Sequence, residues 1–358
     1  MPVSARPSSG TGVGSTVGLV LPGGGARAAY QVGVLRGIAD LMPHAPNPFP
    51  VIVGTSAGAV SATVLATEAF AWHRAVDALE HVWANFHVHQ VLRADALSML
   101  RSGAHWGLSL VSGGLLLPPP AALFDNSPLR ELLERHIHWN HLQTSIKRGS
   151  LRALALCATS YTTATSVAYF DGVPSLQEWQ RHDRFGRRTE LTLDHLMASM
   201  AVPFLFPPVK LGEEYFGDGA QRQLWPLSPG IHLGADRLLI IGVRAEHGAG
   251  VGSAAAVAHA PTPGQLFGYM LDTLFMDQIY ANAEHVGRLN QISNVAPQAV
   301  PEVHKVATLM IAPSEDLREI ELIIDAGKPG PKADEAPPLF RLPRCAGCHA
   351  GPARQSFV

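Results

Sequence analysis

Short apolar runs alternate with longer segments of helical periodicity along the first part of the chain. Residues 17–21 and 51–53 are uninterrupted apolar runs closed by small residues, which is typical of buried strands. After each run, apolar side chains recur at helical spacing over residues 26–42 and 57–70. Because strands that alternate with helices over short connections form parallel sheets, this order predicts an α/β fold with a mainly parallel central sheet flanked by helices.

The alternation continues less regularly through the rest of the chain. The predicted strands there cover residues 151–157, 166–170, 238–243 and 309–311, and the predicted helices cover residues 129–137, 193–200, 264–292 and 317–324. Residues 209–216 predict a hairpin that turns at residues 212–214, where a glycine precedes two glutamates. No internal repeat interrupts this order.

Composition divides the chain into four parts. Residues 1–15 are rich in Gly, Ser and Pro, and we expect a flexible arm there. The alternating elements make residues 16–245 the main domain, followed over residues 246–325 by a helical extension that we expect to pack on it. Residues 326–358 are dominated by Pro, Gly and Lys, which predicts a poorly ordered tail.

Charge and cysteine content narrow the class of protein. The 27 basic and 29 acidic side chains give a net charge of -2, so no electrostatic attraction to nucleic acid is expected. Three cysteines in 358 residues exclude a disulfide scaffold and fit a reducing compartment. The first apolar run is shorter than the core of a signal peptide, about 7 to 15 residues. We therefore expect a cytoplasmic protein.

Residues 106–124 form an apolar segment without Asp, Glu, Lys or Arg. The glycines at 113–114 and the prolines at 118–120 would break a membrane-spanning helix. Two interpretations stay open, namely a surface lid or patch that touches lipid and a loop packed into the core.

Gly54-Thr55-Ser56-Ala57-Gly58 is the first motif that carries chemistry. It lies between a predicted strand and a predicted helix, which is the context of a nucleophile elbow. A serine on so sharp a turn has a strained backbone, so its neighbours must be small. The motif predicts a nucleophilic Ser56; the alternative is a turn of small residues that only lets strand and helix pack.

A run of three glycines, Ala and Arg at residues 23–27 is the second motif. Consecutive glycines allow backbone N–H groups to point into a pocket, and such donors stabilise an oxyanion. The run up to Ala28 also fits the dinucleotide pattern G-x-G-x-x-A. That alternative is disfavoured because the second strand ends in the elbow and lacks the acidic residue that binds ribose.

A nucleophilic serine needs a base. None of the 17 histidines lies in a setting that singles it out. A carboxylate can serve if a dry pocket raises its pKa. Asp171 and Asp218 each follow aromatic residues and precede a glycine, and each is also an ordinary turn residue. Spacing does not choose between them.

These motifs stand in the order in which they occur in patatin-like phospholipases. Besides the glycine run at 23–27 and the elbow at 54–58, the segment at 198–208 and the Asp-Gly-Ala at 218–220 resemble that family. The resemblance covers roughly residues 16–245.

The resemblance implies a three-layer patatin-like fold with Ser56 as the nucleophile and Asp218 as its base. It implies an oxyanion hole made by the N–H groups of Gly23, Gly24 and Gly25. The supporting motif residues are Ala26, Arg27, Gly54, Thr55, Ala57, Gly58, Gly219 and Ala220. It also implies an acyl hydrolase of phospholipids, lysophospholipids or related lipid esters that needs no metal ion and no cofactor.

Under this resemblance Asp171 becomes a turn residue. The expected partners are a lipid ester substrate and, peripherally, the inner membrane surface, with no nucleic acid; the sequence does not indicate an oligomeric state. The alternative function is a non-catalytic patatin-like protein that binds lipid or a partner.

The tail contains Cys345, Cys348 and His349 in the pattern of c-type haem attachment. Covalent haem needs export and a surrounding haem-binding domain, and we find neither signal in the sequence. We interpret the pattern as coincidental, and zinc has no ligand spacing to recommend it.

Overall fold

The computed structural model of the chain describes residues 15–84, 122–245, 278–295 and 305–315, together with positions 105, 108, 112, 262, 266 and 317. The predictions for the N-terminal arm, the tail and most of the uncharged apolar segment lie outside these residues. Among the helices of the described residues, none combines the length and the apolar character that a membrane span requires.

One mixed sheet contains the ten strands of the described residues. The strands are β1 (Val17–Leu21), β2 (Val51–Thr55), β3 (Ala153–Ser160), β4 (Thr165–Gly172), β5 (Trp179–Gln180), β6 (Arg184–Arg188), β7 (Val209–Leu211), β8 (Glu214–Asp218), β9 (Arg237–Ile241) and β10 (Ala307–Ile311). Their order is β10-β9-β1-β2-β3-β4-β6-β5, with β8 also pairing β3 and β7 pairing β8. The five strands from β10 to β3 are parallel, as predicted.

Helices cover both faces of the sheet. The helices of the described residues are α1 (Ala29–Leu41), α2 (Ala57–Thr67), α3 (Trp72–Ala84), α4 (Ser127–His136), α5 (Trp139–Lys147), α6 (Leu193–Ser199), α7 (Ser228–His232) and α8 (Gln278–Val295). Helices α1 to α6 contribute to a core on one face of the sheet, and α8 with the residues around α7 forms a second core on the other face. The predicted three-layer α/β fold is therefore confirmed.

The local pattern predicted β1 within its observed bounds and β2 two residues short. The first predicted helix starts as a 3-10 helix, Gly25–Ala28, because Gly25 has a left-handed backbone (φ 56°) that an α-helix does not accept. Strand β10 and helix α8 belong to the same sheet and core as the residues before 245. The division into a catalytic domain and an extension remains a prediction.

Candidate active site

Ser56 lies at the turn between β2 and α2, where the carboxyl ends of the parallel strands meet. Its φ is 53° and its ψ is -129°, a left-handed conformation that is strained for any residue except glycine. A methyl group at Gly54 would overlap Ala59, and one at Gly58 would overlap the carbonyl oxygen of Leu21. Both glycines therefore let α2 start close against β1 and β2, and this close approach forces the sharp turn.

Asp218 ends β8 and is fully buried. Strand β8 runs antiparallel to β3, with Ala158 opposite Asp218. The backbone N–H of Asp218 donates to the carbonyl oxygen of Ala201 (2.8 Å), and its carboxyl Oδ1 accepts from the N–H of Ala220 (2.9 Å). These contacts leave Oδ2 without a hydrogen bond of full geometry among the described residues.

The Ser56 and Asp218 side chains adjoin one another. Burial raises the pKa of Asp218 to about 7, while the Ser56 side chain and the Ala220 N–H act on the carboxyl and lower that pKa. The Ser56 side chain is thus close enough to interact with the carboxyl group, although its contact with Oδ2 does not meet the geometry of a hydrogen bond.

Asp171, the other aspartate that the sequence left open, lies far from this pair. Asp171 pairs with Leu154 of β3, whereas Asp218 pairs with Ala158 of the same strand. Leu154 and Ala158 are four residues apart, which is about 13 Å along an extended strand. Its carboxyl accepts from the Gln143 side chain (2.7 Å) and from the Gly172 N–H (2.8 Å). The interpretation as a turn residue is wrong, because Asp171 lies inside β4 and is buried against α5.

The glycine run lies beside the elbow. A methyl group at Gly23 would come within 2.9 Å of the Ser56 Cβ atom, and one at Gly24 would lie 2.5 Å from Val243. Gly25 has the left-handed φ of 56° and borders open space. The backbone of the run therefore lies next to Ser56 with no side chain between them, and only glycine fits at the first two positions.

Gln31 supports this loop from behind, and the sequence offered no signal for it. Its fully buried amide donates to the carbonyl oxygens of Pro22 (2.9 Å) and Ile241 (3.2 Å). The same side chain thus joins the ends of β1 and β9 next to the glycine run. Of the supporting residues, Ala26 is exposed, and Arg27 is half-buried with its N–H bonded to the Gly24 carbonyl (3.2 Å).

Ser199, at the end of α6, holds the strained backbone of the elbow. The N–H of Ser56 donates to Ser199 Oγ (3.0 Å), and the Ser199 hydroxyl donates to the Cys157 carbonyl (2.7 Å). Ser199 is fully buried. It lies within the segment at 198–208 that carried the family resemblance, which is the one signal that points to it.

Gln223 also holds the elbow in place, so Ser199 and Gln223 are its two tethers. The Thr55 hydroxyl donates to Gln223 Oε1 (2.7 Å), and the Gln223 amide donates to Cys157 Sγ (2.9 Å). Burial raises the pKa of Cys157 to about 11, so the thiol stays protonated. Both tethers of the elbow thus end on Cys157, one on its carbonyl group and one on its thiol.

The remaining motif residues shape the turn after the aspartate. A methyl group at Gly219 would overlap the Cys157 carbonyl, so this glycine lets the turn lie flat on β3. Among the described residues, no group of three or more His, Cys, Asp and Glu side chains is arranged to hold a metal ion. The cysteines and the histidine of the tail motif lie outside those residues.

Three comparisons with known proteins bear on this geometry. The sequence model of the patatin-like phospholipase family matches residues 19–227, more than half of the chain. Among solved structures, the chain is similar to VipD from Legionella pneumophila, with 12% identity and a TM-score of 0.38 over 83% of this chain. The match spans 61% of the VipD chain. No curated protein matches the sequence.

Proposed function

The chain belongs to the patatin-like phospholipase family, and from that premise we propose that it cleaves carboxylic ester bonds of phospholipids, lysophospholipids or related lipids through a Ser56–Asp218 dyad. Lipid acyl hydrolysis is the activity of the family. The observation that carries the dyad is the desolvated Asp218 carboxyl, with a pKa of about 7, beside a serine on a strained elbow. A carboxyl with that pKa is a competent base near neutral pH.

In the proposed mechanism, the Ser56 hydroxyl attacks the ester carbonyl carbon while Asp218 accepts its proton. The carbonyl oxygen becomes an oxyanion, stabilised by N–H groups of Gly23, Gly24 and Gly25. The tetrahedral intermediate collapses, the alcohol or lysolipid takes the proton and leaves, and Ser56 remains acylated. Water, deprotonated by Asp218, then attacks the acyl-enzyme and releases the fatty acid.

The two tethers support the serine as the reacting group. A left-handed backbone persists only where the surrounding structure holds it, and here the Ser199 and Gln223 hydrogen bonds do so on either side of the Thr55–Ser56 peptide.

Exposed apolar side chains near the dyad support contact with lipid. Phe204 is 58% exposed and has a left-handed φ of 65°, and its carbonyl accepts from the N–H of Leu123, which is 38% exposed. Phe204 follows Ala201, the partner of Asp218, by three residues. We propose that this end of the sheet contacts the inner membrane surface peripherally.

A fluorophosphonate probe, whose phosphorus is attacked by an activated serine with loss of fluoride to give a phosphonylated serine, tests the proposal. We expect the purified full chain to be labelled, and Ser56→Ala to abolish labelling. Ser61→Ala is the matched control, because Ser61 lies one turn further along α2 and its hydroxyl has no hydrogen-bond partner among the described residues. Asp218→Asn should slow labelling strongly, because Asp218 is the carboxyl group that interacts with the Ser56 side chain.

Two outcomes would contradict the hydrolase. Labelling that persists in Ser56→Ala would place the reactive serine elsewhere, and an unlabelled wild type would favour the non-catalytic alternative. Release of fatty acid from phospholipid vesicles, compared with lysophospholipid micelles, then distinguishes the substrates.

A further inference from the structure

A small pocket opens beside the elbow, on the face of the sheet that carries the second core. It is a shallow depression that is open to solvent on one side. Its lining residues include Trp179, Trp225, Arg184, Ser166 and Gln223. Aromatic walls with a few convergent polar groups are typical of ligand sites.

Strand register places this pocket next to Ser56. Thr55 lies opposite Cys157 on β3, and Cys157 lies opposite Ala168 on β4, which lines the pocket. Two strand spacings separate Thr55 from Ala168, or about 10 Å. Ser166 is the second residue of β4 and lies at the end of the sheet where β2 also ends, so the pocket and the elbow share that end.

Arg184 is the charged group of the pocket. Its Nε is buried and makes no hydrogen bond within the described part of the chain; its neighbour Asp183 lies 3.7 Å away, an ion-pair distance only. The guanidinium stacks 5.1 Å from the centre of the Trp225 ring. Burial and, less strongly, the charge of Arg181 lower the pKa of Arg184, while Asp183 raises it. An anion would therefore be stabilised here.

The walls of the pocket are held in place before any ligand binds. The Trp179 ring stacks on Phe170 at 5.2 Å and on His232 at 4.8 Å, with interplanar angles of 20° and 15°. Gln223 is fixed by its bonds to Thr55 and Cys157. Little side-chain freedom is lost when a ligand enters so rigid a site.

We propose that this pocket is a second binding site that takes a small oxyanion, a carboxylate or a phosphate, on the Arg184 guanidinium between the two tryptophan rings. Guanidinium groups bind such planar or tetrahedral anions through paired N–H donors. Because the pocket is shallow, it takes the charged end of a ligand and not a whole acyl chain. A bound anion also contacts Gln223, the side chain that holds Thr55 next to the nucleophile.

Tryptophan fluorescence of the full chain tests the site, because two of its rings line the pocket. Sodium phosphate, sodium acetate and glycerol 3-phosphate are titrated separately, with ionic strength kept constant by sodium chloride. We expect a saturable change with phosphate or acetate, and at least tenfold weaker affinity in Arg184→Gln. Arg135→Gln is the control, since that exposed arginine lies on α4 and pairs with Glu131. Tighter binding of glycerol 3-phosphate than of phosphate would identify a lipid headgroup as the source of the anion.

A wild type without saturable binding, or equal affinity in Arg184→Gln, would overturn the proposal. If Arg184→Gln does not fold, Arg184→Lys replaces it; this variant keeps the charge, loses the paired donors, and is expected to bind at least threefold more weakly. The titration is repeated with Ser56→Ala, whose anion affinity should equal that of the wild type. Failure of this site is therefore distinguishable from failure of the proposed hydrolase, which the serine probe reports.

Discussion

Asp218 loses its water on folding and gains few hydrogen bonds in return, which is why its pKa rises to about 7. Only the deprotonated carboxylate can accept the Ser56 proton. We therefore expect kcat/KM to increase about tenfold from pH 6 to pH 8 and to level off above that, with an apparent pKa near 7. Steady-state hydrolysis of a soluble ester across this range measures the profile.

Asp171→Asn is the control for this profile, because within the described part of the chain Asp171 is the other buried aspartate whose pKa burial raises. Its removal should leave the profile unchanged. A wild-type profile that is flat between pH 6 and pH 8 would show that Asp218 is not the titrating base.

The same desolvation has an effect on stability whose sign follows from proton linkage. The folded pKa of about 7 lies above the unfolded value of 3.8, so between these values the folded state binds more protons than the unfolded state. The contribution of Asp218 to stability is full below pH 4 and falls as pH rises to 7. At pH 8, we expect Asp218→Asn to be more stable than the wild type, with a free energy of unfolding about 2 to 4 kcal/mol higher.

Urea unfolding at pH 8 and at pH 4 measures this difference. At pH 4 the wild-type carboxyl is protonated in the folded state, so the two proteins should nearly coincide. Destabilisation by Asp218→Asn at both pH values would contradict the linkage.

Ser199 orients the elbow through two hydrogen bonds, and its removal leaves a buried N–H and a buried carbonyl group unpaired. We expect Ser199→Ala to lower kcat about 10- to 100-fold, since 1 to 3 kcal/mol of positioning is lost, and to change KM less than threefold. Ser199→Thr, which keeps the hydroxyl, should recover most of kcat. A rise in KM at constant kcat would instead assign Ser199 to substrate binding.

At the scale of elements, the strand–loop–helix units that carry the glycine run and Ser56 were predictable from sequence. Their signals are local, because an apolar run and a glycine-bounded turn lie within a few residues of each other. Strand β6, Arg184–Arg188, was not predicted, because its sequence is largely charged and only Gly186 is buried. It forms a strand because it pairs in parallel with β4. The local sequence pattern does not indicate this pairing.

The crossing of α2 over the end of β1 depends on Gly58. A methyl group there would overlap the carbonyl oxygens of Leu21 and Pro22, so helix and strand must separate. We expect Gly58→Ala to destabilise the protein by about 2 kcal/mol or more and to abolish activity. Thermal unfolding and ester hydrolysis measure the two effects.

Gly33→Ala is the matched control, because Gly33 lies exposed in α1 and borders open space. Alanine is the better helix former there, and a gain of about 0.5 to 1 kcal/mol is expected. Equal stability of the two variants would show that the close approach at Gly58 is unimportant.

At the scale of the whole molecule, β10 covers the edge of β9, and α8 contributes Ile279 and Val286 to the second core. The Leu227 N–H also donates to Asn282 of α8 (3.0 Å). We expect a chain ending at residue 245 to lose at least 10 °C in Tm and to aggregate, because it exposes both that core and a strand edge. Differential scanning calorimetry and light scattering measure this, and a Tm within 2 °C of that of the full chain would show that residues 16–245 are an independent domain.

The residue pattern alone did not predict that Ser56 and Asp218 lie close together. Their proximity depends on the antiparallel pairing of β8 with β3, two strands that are distant in sequence. Family resemblance named the pair. Gln31 and Gln223 had no signal at all, since a buried glutamine is recognisable only by the carbonyls and side chains that surround it. The sequence therefore points to the proposed reacting groups and gives no signal for the two glutamines that support them.

Gln223 bonds the side chains of both Thr55 and Cys157, so three positions, 55, 157 and 223, depend on one another for their side-chain hydrogen bonds. A replacement at one of them leaves a buried partner unsatisfied until a second replacement compensates. Among descendants of this chain, evolutionary drift at the three positions should be concerted, with substitutions that co-vary as a set. Lineages that abandon catalysis should be the ones in which this coupling disappears.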